Sequence, residues 1–157
     1  RMITPRGKFC ARHPRITEDE FGVKRYSLTH RIYITETDLD NIIRAKGAIY
    51  AGIIMMLKSL DLELPVLQDI YIAGGIGAAI NMKNAMAIGM LPCLPEENFH
   101  YLGNASLLGA YAMTVSEDAE KKIHELSGSM TYLDLSTAAG YMDVFTSECF
   151  LPHTSEF

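Results

Sequence analysis

What this chain lacks narrows it first. No apolar run approaches the roughly 20 residues that a membrane-spanning helix needs. The most apolar stretch, Ala48 to Leu57, is short and bracketed by Lys46 and Lys58. Residues 1–15 are polar and basic with no apolar segment behind them, so no secretory signal is expected. Cysteine is scarce: Cys10, Cys93 and Cys149 lie far apart, with no CxxC. That spacing excludes a zinc ribbon or an iron–sulfur site built from this segment alone. Three unpaired thiols fit a reducing, cytoplasmic setting, and each reads as a small core or surface residue rather than a nucleophile. His13, His30, His100, His124 and His153 are too scattered for a metal-spacing argument, and no metal ligand is assigned. Internal repeats and low-complexity segments are also missing.

What remains is an ordinary globular composition, 48% apolar and 21% charged, in 157 residues that suit one domain with one core. The net charge of −5 is unevenly spread. Residues 1–31 hold eight Lys or Arg against three Asp or Glu, a net +5, and residues 32–157 hold six against sixteen, a net −10. An acidic body argues against nucleic acid as the main partner. Residues 1–31 read as a basic arm or linker, either a solvated loop or a contact for an acidic surface. The opening at Arg1 and the stop at Phe157 after a Pro-containing turn give the expectation of a piece cut from a longer protein, with part of any site outside it.

The periodicity predicts alternating strands and helices, hence an α/β class with a sheet covered by helices. Residues 1–24 are rich in Arg, Pro and Gly and read as loop. Arg25 to His30 and Ile32 to Ile34 read as short extended pieces. A helix is expected from Glu36 to Leu60, capped by Thr35 with Asp38 three residues on. Gly47 and Gly52 inside it point to close packing against another backbone. Asp69 to Ala73 reads as a buried strand and Met82 to Met90 as a helix capped by Asn81. Phe99 to Leu102 reads as a strand, Leu107 to Thr114 as a helix, and Glu117 to Leu126 as a helix capped by Ser116. Met130 to Leu135 alternates like a strand, and Ala138 to Phe150 reads as a terminal helix.

The strongest local signal is a buried strand delivering Gly74-Gly75-Ile76-Gly77 to the start of a helix. Ligands bind at the carboxyl ends of strands in such sheets, and glycine lets the backbone approach a ligand or take positive φ. The pattern is incomplete as a dinucleotide motif, because Ile80 stands at the third glycine position, and it does not match a phosphate loop. A second strand runs into Gly103-Asn104-Ala105-Ser106, so two glycine turns can form two walls of one cleft. Asn104 can either contact a base or ribose or cap its own helix. Lys46 falls on the apolar stripe of the long helix, which points to a buried or cleft-lining lysine.

AGGIG followed by GNASLLGA resembles the adenosine-binding end of the actin, heat-shock ATPase and sugar-kinase superfamily, with its ribonuclease H-like fold. Arg44-Ala45-Lys46 is similar to the helix that contacts adenosine in the heat-shock ATPases. ITETDLDNIIRAKGAIYAGI, DIYIAGGIGAAINMKNAMAIGMLP, YLGNASLLGA, TYLDLS and FLPHT together resemble the C-terminal ATPase domain of the reductive activators of corrinoid proteins, over residues 32–157. The resemblance implies that Lys46, Gly74, Gly75, Gly77 and Asn104 contact ATP, with Mg²⁺. It implies a corrinoid protein of a methyltransferase system as partner, as in methanogens and other anaerobes, and an iron–sulfur cluster outside this segment. The activity implied is ATP-dependent reduction of Co(II) to Co(I). The superfamily's Asp-containing glycine turn for phosphate and metal is absent here, so no catalytic residue is assigned and the segment alone is expected to be inactive. A non-hydrolysing interaction module of the same fold, a dehydratase activator and a sugar kinase stay open, as does a homodimer.

Overall fold

A computed structural model describes residues 2–10, 12–75 and 77–152. Among the described residues, five strands and five α-helices follow one another: β1 (Ile16–Glu18), β2 (Lys24–Ser27), β3 (Tyr33–Thr35), α1 (Glu36–Ser59), β4 (Ile70–Ala73), α2 (Met82–Ala87), β5 (Phe99–Gly103), α3 (Ala105–Val115), α4 (Glu117–Ser129) and α5 (Tyr141–Glu148). The class is α/β as expected, but the strands form two small sheets rather than one. β1, β2 and β3 make an antiparallel meander, and β4 and β5 pair in parallel.

Residues 1–24 are not wholly loop. β1 lies within them, Ile3 bridges Phe9, and the Phe9 amide donates to Glu36 Oε1 at 2.9 Å. Phe9 is buried and stacks near Tyr26, so the basic segment is packed onto the meander and the start of α1.

α1 begins where its chemistry says it should. Thr35 Oγ1 accepts from the Asp38 amide at 3.1 Å, and Asp38 Oδ2 accepts from the Thr35 amide at 2.8 Å. This reciprocal pair satisfies two helix-end donors, and it holds the Asp38 carboxyl below its ordinary range. α1 buries Ile43, Lys46, Gly47, Tyr50, Ala51, Met55 and Leu57, and its main partner is α5. Gly47 is needed there: a Cβ would lie 3.1 Å from Cys149 Sγ and 3.3 Å from the Glu148 carbonyl oxygen. Gly52 has only Leu135 Cδ1 at 3.7 Å, so no backbone contact requires it.

Two expectations fail at the far end. Residues 130–135 are not a strand, because Asp134 Oδ1 accepts from the amide and hydroxyl of Ser136 and closes a local turn instead. The terminal helix starts at Tyr141, not Ala138, since Gly140 takes a left-handed φ of 79° as its cap. In FLPHT, His153 and the residues after it lie outside the described residues.

Candidate functional site

The parallel pair β4–β5 brings the two glycine turns side by side. Register runs from Ile70 opposite Phe99 to Ala73 opposite Gly103, with an irregularity after Ile72. At the carboxyl end the Gly74 amide donates to the Gly103 carbonyl at 2.8 Å. The Tyr101 hydroxyl donates to the Gly74 carbonyl at 2.9 Å. One β5 side chain and one β5 carbonyl therefore hold the first turn in place. The glycines divide the work. Gly74 (φ 94°) and Gly103 (φ 67°) take the left-handed backbone that glycine alone adopts freely, and a Cβ on either would meet nothing within 4 Å. Gly75 needs no positive φ, and the space over its Cα is also open. Gly77 is different: a Cβ there would lie 2.6 Å from Ile72 Cγ2 and 2.8 Å from the Tyr101 ring, so this glycine serves close packing.

Asn104 caps α3, its Oδ1 accepting from the Leu107 amide at 3.1 Å. That fixes the side chain beside the second turn and leaves its amide nitrogen as a donor. The open backbone over Gly74, Gly75 and Gly103, with this donor beside it, suits a flat, uncharged group such as a nucleoside better than a polyanion. No Lys or Arg is supplied by residues 70–82 or 99–111. Tyr101 is the residue that sequence reasoning missed. Its only signal was a tyrosine two positions before the second glycine.

Lys46 lies at the α1–α5 contact. Its side chain is fully buried at the α1–α5 interface, where its amine donates to the Pro152 carbonyl. Burial pushes the amine's pKa down, and the nearby carboxylate of Glu148 opposes that. Glu148 is itself only 3% exposed. Tyr50, one turn along α1, has its phenol pushed up to about 12, by burial first and by Glu148 second. The structure thus brings Gly74, Gly75, Gly77 and Asn104 into one neighbourhood and holds Lys46 in a buried polar cluster with Tyr50 and Glu148.

At the amino end of the same strands, His100 Nε2 lies 2.6 Å from Asp69 Oδ1 and the His100 ring stacks on Tyr71 at 4.8 Å. Among the described residues no group of three or more His, Cys, Asp or Glu converges to hold a metal ion, and no helix is long and apolar enough to cross a membrane.

Comparison with known proteins agrees from three directions. Residues 1–157 match the family described as the C-terminal domain of RACo, the ASKHA domain. The corrinoid activation enzyme RamQ of Eubacterium limosum is 27% identical over 114 residues, covering 73% of this chain and 19% of that protein. A solved structure of the reductive activator for corrinoid, iron–sulfur protein superposes with a TM-score of 0.86 at 40% identity, over 98% of this chain and 26% of that one. The chain therefore spans about a quarter of the length of the solved relative it matches.

Proposed function

The chain belongs to the family of RACo C-terminal domains, the actin-like ATPase domains of corrinoid reductive activators, and from that premise we propose that it supplies the adenosine-binding wall of an ATP-dependent activator. The observation that carries this reading is the amide–carbonyl link between Gly74 and Gly103, which sets two open glycine turns edge to edge at the carboxyl ends of parallel strands. Ligands bind at that end of open α/β sheets. Gly74, Gly75 and Gly103 admit the adenosine, Asn104 donates to it, and Gly77 and Tyr101 keep the first turn rigid.

The partner in this reading is a corrinoid protein of a methyl-transfer system. Its cobalt gains one electron and passes from Co(II) to Co(I). An electron donor of the iron–sulfur class, outside this chain, supplies that electron, and ATP hydrolysis offsets the uphill transfer. Mg²⁺ would bind together with the phosphates of ATP.

Calorimetry with ATP and Mg²⁺ tests the proposal. The isolated chain should bind with a dissociation constant near the millimolar range, about −4 kcal/mol, because only the nucleoside wall is present. Gly75→Val should abolish that binding while leaving the fold intact, since a side chain there fills open space rather than protein. Unchanged ATP binding by Gly75→Val would refute the assignment of the site.

A further inference from the structure

One end of the β1–β3 meander is basic and free of acids. Residues 12–16 and 26–34 contain Arg12, His13, Arg15, His30 and Arg31 and no Asp or Glu. The backbone gathers them. The Ser27 amide donates to the Arg15 carbonyl at 2.9 Å, and the Leu28 amide to the Ile32 carbonyl at 2.8 Å, so Arg15 and the 28–32 turn share one end of the sheet. The acids of this region, Glu18, Asp19 and Glu20, lie at the opposite end, in and beside the β1–β2 turn.

Two features distinguish this end from a merely solvated charge run. Arg25, in the middle of β2 opposite Thr17, is held toward this end: its guanidinium lies 5.0 Å from the centre of the Tyr33 ring and its Nε donates to Thr17 Oγ1 at 3.1 Å. The terminal nitrogens keep their donors in a fixed fork, the geometry that grips a carboxylate with two hydrogen bonds. Beside the basic residues, apolar side chains stand in solvent: Leu28 is 47% exposed, Ile32 58% and Tyr33 51%. Arginine and tyrosine next to aliphatic surface is the composition that carries energy in protein interfaces. The rest of the chain is acidic, so the field is polarised and steers an acidic partner to this end.

We propose that this end of the meander is a docking surface for an acidic face of a protein partner. Taking that partner to be the corrinoid protein rests on the function proposed above. Nucleic acid is disfavoured, because the net −10 of residues 32–157 would repel a long polyanion, and Leu28 and Ile32 offer nothing to a phosphate backbone.

The test is stopped-flow association of the full chain with a corrinoid protein at low and high salt. Arg15→Glu/Arg31→Glu should slow association at low salt by about tenfold, with the difference shrinking as salt rises. Lys121→Glu/Lys122→Glu on α4 makes the same change of charge elsewhere and should stay within about twofold of wild type. Arg25→Lys keeps the charge but loses the fork and should speed dissociation. If the double variant misfolds by circular dichroism, Arg31→Gln, a change at an exposed turn, decides in its place. Equal association of wild type and rim variants overturns the docking surface and leaves the proposed function standing. No association of wild type at all overturns the partner reading, and the docking surface with it. Salt-sensitive self-association of the chain, or tighter binding of duplex DNA than of the corrinoid protein, overturns the inference in favour of that occupant.

Discussion

Lys46 shows how one side chain can carry two meanings. Its place on the apolar stripe of α1 pointed to a buried or cleft-lining lysine, and the structure buries it beside Glu148 with its amine on the Pro152 carbonyl. A buried charge that loses its partner is costly, so Lys46→Met should destabilise the chain by about 3 kcal/mol by leaving the Glu148 carboxylate without its lysine. Lys46→Met with Glu148→Gln should recover much of that loss, because both charges are then removed. Urea unfolding of the three proteins checks this, and additive effects would show that the two residues are not coupled. ATP affinity of folded Lys46→Met should equal that of wild type, which separates the buried cluster from the glycine turns. Sequence placed the lysine on the correct face of its helix. It could not show which element that face meets, because α5 lies about a hundred residues away in the chain.

At the scale of elements, the two glycines of α1 give a paired prediction. Alanine is favoured over glycine in a helix by roughly 1 kcal/mol. Gly52→Ala should realise that gain, since its nearest neighbour is a single Leu135 methyl at 3.7 Å. Gly47→Ala should lose stability by about 1–2 kcal/mol net, because the Glu148 carbonyl at 3.3 Å is backbone and cannot step aside cheaply. Opposite shifts in thermal midpoint are the expected result, and equal shifts would mean that α1 and α5 are not in close contact. The elements that were legible share a local cause. α1, α2, α3 and α4 carry their own caps in Thr35, Asn81, Asn104 and Ser116, and a cap is written within four residues. The elements that were misread depend on distant partners. β1 is three residues long and exists because Tyr26 and Arg25 of β2 lie across from it. Residues 130–135 have the alternation of a strand but, among the described residues, no strand pairs with them, and Tyr132 is 86% exposed. Side-chain alternation alone does not make a sheet; a neighbouring backbone does.

This chain, which spans about a quarter of the length of the solved relative it matches, is more open than a compact domain of its size. Its accessible surface is 11327 Å², whereas a compact monomer of this mass exposes about 7,900 Å². α3 illustrates the excess: Leu107, Leu108, Tyr111 and Val115 are each more than 60% exposed. Folding therefore buries about 55% of the unfolded chain's surface rather than the roughly 70% usual at this size. The denaturant slope scales with the surface exposed on unfolding. Urea unfolding should then show a slope about four-fifths of that of a compact domain of the same length. A full-sized slope would mean that the exposed faces are covered in solution. The α/β class and the two glycine turns were legible from the residues themselves, because glycines at strand ends are a local signal. Sequence could not reveal that the strands divide into two sheets, because pairing across the chain is set by tertiary contact and not by any single segment.

The division into two sheets also sets the order of assembly. Strands of the meander meet across turns of a few residues, as Glu18 meets Lys24 and Ser27 meets Tyr33. Ile70 and Phe99 must find each other across the intervening twenty-eight residues, α2 included. Closing that longer loop costs roughly 3 kcal/mol in chain entropy before a single parallel hydrogen bond repays it, and non-local parallel pairing is intrinsically slow. The glycine turns are therefore expected to form after the meander, with φ-values lower at Ile70 than at Tyr26 as the check, and a ligand bound across Gly75 and Asn104, as proposed above, would clamp the part of the chain that closes last.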